Sequence, residues 1–492
     1  MTQAIVQVAS EARNSPPVGG DRPVLVCDLD NVLIRTEMLD ETFWASVAAG
    51  WTAPWVAARA LLDGRANLKK VLAERGPVDP AHLPYRPEIV ARLKAWRAAG
   101  GRTALVTSAD QSAAEAIASH LDVFDEVHGS DGTRNLRAAT KAAFLVDRFG
   151  EGGYNYIGGV VTDRPVWATS AAATTIGLSD TARGKITALE KVSHLDTPPL
   201  NFPRALMQAM RPHQWLKNLL IFLPLLAAHQ LDPGSLATAL LAFITFGLVA
   251  SSVYVLNDLL DLASDRAHPR KRLRPFASGR LPLRHGLWLA PGLLGAGLVF
   301  GLFLGPMFLA VLGVYYCTTT AYSLWLKRLP VVDICTLAAL YTLRIAAGAA
   351  ATGIPISVWL MAFAIFFFFS LAAVKRQAEL VDAIKAGREL NARRGYRAED
   401  LPLVAMMAVG AGYVSILVMA LYVNSPAVTA LYSAPEVLFA ICAVLLFWIS
   451  RVVMLAHRGE MHDDPVVFAA KDKVSLGAFA TVCAIILAGS QL

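Results

Sequence analysis

The stretch NDLLDLASDRAHPRKRLRPFASGR, residues 257–280, decides how the chain is to be read. It closes an apolar run and opens a polar loop. At 3.6 residues per turn Asp258, Asp261 and Asp265 share one helix face, and Asn257 lies one turn behind Asp261. That makes a column of oxygen ligands about 12 Å long. Carboxylates at a membrane helix end are costly unless they pair or bind a cation. An all-oxygen donor set suits Mg2+, which commonly joins one or two carboxylates to substrate phosphates. His268, Arg270, Lys271, Arg272 and Arg274 follow at once. Cations beside such a column are what a departing diphosphate needs. The same residues also read as a juxtamembrane loop of structural salt bridges.

Working outward, residues 215–492 are long apolar runs broken by short charged loops. Over all 492 residues the mean hydropathy is +0.47 and charged residues make up 17%, below the roughly 25% of a soluble domain. A bilayer span needs about 20 mostly apolar residues. Nine spans are expected, centred near 224, 247, 295, 316, 342, 365, 412, 443 and 482. Loops holding Arg266–Arg284, Lys327-Arg328, Lys375–Arg397 and Arg451–Lys473 alternate with loops almost free of Lys and Arg. By the positive-inside rule, residues 1–210 and the acidic segment face the cytoplasm and the C-terminus lies outside. The expected location is the inner (plasma) membrane, crossed many times. The net charge of +7 sits beside these spans, which fits anionic headgroups or phosphates and argues against nucleic acid.

Residues 1–200 read differently, with charges every few positions. PVLVCDLDN (23–31), RTALVTSAD (102–110) and YNYIGGVVTDRPVW (154–167) each run from an apolar strand into acids or hydroxyls. Open parallel α/β sheets place ligands at that end of their strands. A helical stretch over about 38–100 fits an inserted cap. The expected division is a flexible lead-in over 1–22, an α/β domain over 23–182, a linker over 183–203 and an all-α membrane domain over 204–492. Thr197-Pro198-Pro199 stops any helix in the linker. The start lacks the apolar core of a signal peptide. Five cysteines show no metal spacing and read as small buried hydrophobes. Trp215, Trp325 and Trp359 read as interfacial anchors or packing.

The 257–279 segment resembles the NDxxDxxxD signature of the UbiA superfamily of membrane transferases. Within it the chain most resembles decaprenyl-phosphate phosphoribosyltransferases, through RPHQWLKN (211–218), YSLWLK (322–327), Asp333, LRIAAG (343–348), KRQAEL (375–380) and the region of Asp464 and Lys471. The resemblance implies nine transmembrane helices and transfer of 5-phosphoribose from phosphoribosyl pyrophosphate to a polyprenyl phosphate. It implies that Asn257, Asp258, Asp261 and Asp265 hold Mg2+ and the donor, with Asp258, Asp261, Lys271 and Arg272 catalytic. Lys217, Arg274, Lys327, Arg344, Lys375 and Arg376 become phosphate contacts, and Asp333 joins the substrate site. Such activity belongs with cell wall biosynthesis. The alternative is the commoner UbiA activity, transfer of a prenyl group from a prenyl diphosphate to an aromatic acceptor. Those enzymes usually carry a second aspartate-rich motif. Here residues 327–344 hold Asp333 alone, with Lys327, Arg328 and Arg344. A non-enzymatic transporter or scaffold is a third class, and whether copies associate as a homo-oligomer is left open. Arg344 could instead pair with Asp333 inside the membrane.

CDLDNVLIRTE (27–37) resembles motif I of the haloacid dehalogenase (HAD) superfamily. The resemblance implies Asp28 as nucleophile, Asp30 as general acid/base, Thr107 as phosphate-binding hydroxyl and Lys141 as the motif III lysine. Motif IV departs from the pattern: in GGVVTD, Gly159 stands where the first acid belongs and only Asp163 remains. The domain is thus a weak phosphatase or a degenerate one, with the balance towards the second. If active, its expected task is loss of the 5-phosphate from the lipid-linked ribose.

Overall fold

The computed structural model describes residues 22–492 except 179, 185, 187–191, 197–200, 386–394, 462–463 and 492. The lead-in over 1–21, Pro198-Pro199 and the middle of the Lys375–Arg397 loop lie outside the described residues. Contacts divide the chain into two compact units: residues 1–209 with 255–289, and residues 210–254 with 290–492. The expected boundary at 183–203 therefore does not describe the packing of the acidic segment, which belongs to the first unit. Arg266 and Arg284 of this segment pair with Glu41 and Glu37 of the same unit.

In the first unit, β1 (Val24–Cys27), β2 (Thr103–Asp110), β3 (Glu126–Ser130), β4 (Tyr154–Gly158), β5 (Ala172–Ile176) and β6 (Val192–Leu195) form one parallel sheet in the order β3-β2-β1-β4-β5-β6. Alternate residues feed two cores. Leu25, Cys27, Leu105 and Ile157 enter one, and Val24, Val26, Ala104, Val106 and Tyr156 the other. Burial on both faces is why these strands read as continuous apolar runs. The strand order reverses beside β1, so a crevice opens beyond the carboxyl ends of β1 and β4. Helices Met38–Ala49, Ala53–Leu62, Arg65–Arg75 and Pro87–Ala98 fill the expected cap. One expectation is corrected here. The 183–203 stretch is not all linker, because β6 pairs with β5 and Ile186 is buried in the core. Ser193 and His194 make side-chain hydrogen bonds to Thr174 (3.1 Å) and Thr175 (2.6 Å).

Eight described helices, from Pro233–Leu260 to Lys473–Ser490, are long and apolar enough to cross a membrane. The first of the nine expected spans takes another form: a 3-10 run over Pro212–Phe222 and a short helix over Leu223–Ala227. Pro212 and Pro224 remove backbone donors, and Asn218 and Ile221 are buried in the second unit. Broken helix at membrane depth is tolerated where protein surrounds it. Trp288, Val358 and Phe479 are exposed on the apolar helices, as lipid-facing residues are. Cys27 is buried as expected, but Cys317 and Cys335 are exposed on apolar helices.

Candidate functional site

The acidic segment keeps helical register past the end of the Pro233–Leu260 helix. Asp261 N–H donates to Asn257 O at 2.9 Å and Asp265 N–H to Asp261 O at 2.8 Å, running into the Leu262–Ala267 helix. Asp258 and Asp265, two turns apart, therefore face the same way. One atom shows it: Arg274 Nη1 lies 3.2 Å from Asp258 Oδ1 and 2.5 Å from Asp265 Oδ2. Both carboxylates are buried, whereas Asn257 and Asp261 are half-buried. Lys271 is half-buried and Arg272 exposed on a turn beyond. Among the described residues no three His, Cys, Asp or Glu side chains form a metal-holding group. Two carboxylates converging on one cationic atom nevertheless fit Mg2+, which usually takes one or two carboxylates and completes its shell with phosphates and water.

The second unit holds a separate polar cluster. Asp464 caps the Pro465–Ala469 helix, its Oδ1 accepting from Val466 N–H and from the Tyr341 hydroxyl at 3.0 Å. Its Oδ2 takes Lys217 Nζ at 2.9 Å and Lys375 Nζ at 3.1 Å. Burial pushes the Asp464 carboxyl up, but Lys375 and Lys217 outweigh it and hold the group well below the usual carboxylate range. Arg344 is buried among Phe246, Tyr315 and Tyr341, at 5.1–5.6 Å from the ring centres, a cation–π setting. It donates to Asn218 Oδ1 at 3.0 Å and to the Tyr315 hydroxyl at 3.2 Å. Among the described residues no carboxylate lies within ion-pair distance of Arg344, so the expected alternative pairing with Asp333 is corrected. Asp333 pairs instead with Arg376 and accepts from the Tyr396 hydroxyl at 2.6 Å; all three are buried. Lys327 sits half-buried on the Leu326–Arg328 turn. The structure thus gathers Lys217, Arg344 and Lys375, while Arg376 is engaged by Asp333 and by Glu379. Sequence reading passed over Asn218 and Tyr341, and did not assign Asp464 a contact. Lys217 and Asp464 stand 247 positions apart, which no periodicity links.

At the carboxyl ends of β1 and β4, Lys141 Nζ lies 2.8 Å from Asp28 Oδ2, and the Tyr156 hydroxyl donates to the same oxygen at 3.2 Å. Leu29 N–H occupies Asp28 Oδ1 at 2.8 Å. Asp30 Oδ1 accepts from Met38 N–H at 2.8 Å, and burial together with Asp28 raises its pKa to about 6. Thr107 is buried on β2 and turns its hydroxyl to Ala109 N–H. Lys69, unforeseen in sequence, reaches Ser108 O and Asn135 Oδ1. Asp163 is buried, and its Oδ2 has no hydrogen-bond partner among the described residues. A Cβ on Gly159 would lie 2.9 Å from Val32 Cγ2, so a side chain at the place of the usual first acid would require Val32 to shift. With Asp28 Oδ2 shared by an amine and a phenol, and one acid lacking, these residues do not fit a Mg2+ centre.

Residues 218–476, just over half the chain, match the UbiA prenyltransferase family. The chain belongs to this family. Beside that UbiA part, residues 66–151 match the haloacid dehalogenase-like hydrolases, and the parallel sheet agrees. The protein y4nM of Sinorhizobium fredii is 36% identical over 92% of this chain and 88% of its own. A decaprenyl-phosphate phosphoribosyltransferase of Mycolicibacterium smegmatis is 39% identical over 39% of this chain and 62% of its own. A UbiA homologue from Archaeoglobus fulgidus, solved bound to GPP and Mg2+, is 15% identical, with a TM-score of 0.45 over 57% of this chain and 99% of that one. This UbiA-family chain is an integral membrane protein with an N-terminal HAD-like domain.

Proposed function

We propose that this protein moves 5-phosphoribose from phosphoribosyl pyrophosphate to a polyprenyl phosphate. The observation that carries the reading is the charge of the second unit's cluster: Lys217, Lys375 and Arg344 against the single carboxylate of Asp464. Asp333, the one acid of the 327–344 stretch, is consumed by Arg376 and Tyr396. A cationic set without a second acidic motif suits two phosphorylated substrates. The Mycolicibacterium smegmatis relative carries the name of this activity.

Asn257, Asp258, Asp261 and Asp265 would hold Mg2+ near the donor diphosphate, and the chemistry that ion would supply is charge neutralisation of the leaving group. Lys271, Arg272 and Arg274 add fixed positive charge as the ribose C1–O bond breaks. Lys217, Arg344 and Lys375 bind phosphate, with Lys327 assigned to the same task by resemblance. An oxygen of the lipid phosphate attacks C1 and pyrophosphate departs. That phosphate is already ionised, so no strong base is needed and positioning does most of the work. In this reading Asp333 and Arg376 hold helices together instead of touching substrate. The HAD-like part is read as non-hydrolytic. The orientation that fits is a cytoplasmic first unit at the plasma membrane.

The test uses purified protein, Mg2+, a polyprenyl phosphate and donor labelled separately in the ribose and in the 5-phosphate. Both labels should enter the lipid phase. Ribose label without the 5-phosphate would overturn the non-hydrolytic reading. No label, with turnover of a prenyl diphosphate and an aromatic acid, would replace the donor and acceptor altogether.

A further inference from the structure

The acidic segment is held by a residue far away in sequence. Arg266 follows Asp265 directly, and its guanidinium grips Glu41, with Nη1 to Oε2 at 2.8 Å and Nη2 to Oε1 at 2.6 Å. Glu41 is 2% exposed and Arg266 9%. A two-pronged arginine–carboxylate pair fixes orientation as well as distance. The remaining Nε–H of Arg266 donates to Ala277 O at 2.9 Å. Arg266 therefore ties the far arm of the loop back to the Leu262–Ala267 helix. Arg274, which bridges Asp258 and Asp265, lies between those two anchor points.

Two further contacts support the same docking. Gly279 has φ +69°, and a Cβ there would lie 2.7 Å from Arg35 Cβ, so the loop backbone runs against the segment after β1. Arg284 pairs with Glu37 at 3.0 Å. The helix that presents Glu41 starts at Met38, whose N–H is taken by Asp30. Motif I of the HAD-like domain thus anchors the helix that anchors the acidic segment.

We propose that Glu41 is a positioning residue for the carboxylates of residues 257–265, and that this is the use to which the HAD-like domain is put. The proposal rests on the reading of that segment as the donor site. Both carboxylate oxygens of Glu41 are taken by Arg266. It holds Arg266, and through it the loop that places Arg274 between Asp258 and Asp265.

The experiment combines hydrogen exchange of the full chain in detergent, with and without Mg2+, and transfer kinetics against Mg2+ concentration. In Glu41→Ala, residues 257–280 should lose exchange protection at least tenfold while β1 and β2 keep theirs. The Mg2+ needed for half-maximal transfer should rise by tenfold or more. The exchanged pair, Glu41→Arg with Arg266→Glu, should recover most of both. Wild-type protection and Mg2+ dependence in Glu41→Ala would overturn the proposal. So would equal loss of protection in β1 and β2 with no recovery in the exchanged pair. Exchange does not depend on donor identity, so wild-type protein inactive with this donor would remove the functional reading and leave this test standing.

Discussion

At Asp163 the carboxyl is buried against Gly158, and burial with Asp28 nearby raises its pKa to about 7. A raised carboxyl favours the neutral form in the fold. Its stabilising contribution is complete below about pH 4 and is lost as pH climbs through about 7. Asp163→Asn should therefore flatten the fall in apparent Tm between pH 5 and 8, with a relative gain of roughly 1–3 kcal/mol at pH 8. Asp30 and Asp40, raised by burial to about 6 and about 7, titrate in the same window, so the slope shrinks and does not vanish. A steeper slope in the variant would contradict this account. Sequence shows the motif IV gap at Gly159 because the pattern is local. It hides Tyr156, whose hydroxyl reaches Asp28 only because β4 pairs with β1 in one register.

Among the elements, the Val332–Thr352 helix and the Pro212–Phe222 run come into close backbone approach at one small residue, Gly348. A Cβ on Gly348 would lie 2.0 Å from the Ile221 carbonyl oxygen. Gly348→Ala should cost about 2 kcal/mol or more by overpacking, read as a lower apparent Tm in detergent. Gly313→Ala, in a helix with nothing within 4 Å of the new methyl, should be neutral or slightly stabilising. Equal Tm values for the two variants would mean that the close approach carries no weight. The register of Asp258, Asp261 and Asp265 was legible because helical periodicity is a property of neighbours. The broken form of residues 212–227 was less so. Hydropathy counts apolar residues and does not register that Lys217 and Asn218 turn inward to Asp464 and Arg344.

For the whole molecule, composition separates a charged N-terminal part from an apolar remainder, and that partition foretold two folds. It did not foretell that residues 255–289 pack with the first, since Glu41 and Arg266 stand 225 positions apart. Charge asymmetry makes an independent prediction. An accessibility tag inserted near residue 353 should be labelled from outside the cell, and one near 328 only after the membrane is opened. The reverse pattern would invert the orientation. The Glu41–Arg266 pair also bears on inheritance. Removing one partner of a buried ion pair costs about 3–5 kcal/mol. A point change at codon 41 would leave the Arg266 guanidinium buried without that partner, whereas a gene shortened at its 5′ end would open it to water. The Glu41–Arg266 contact therefore makes the surroundings of the acidic segment a joint product of two stretches of the gene, codons near 41 and codons near 266.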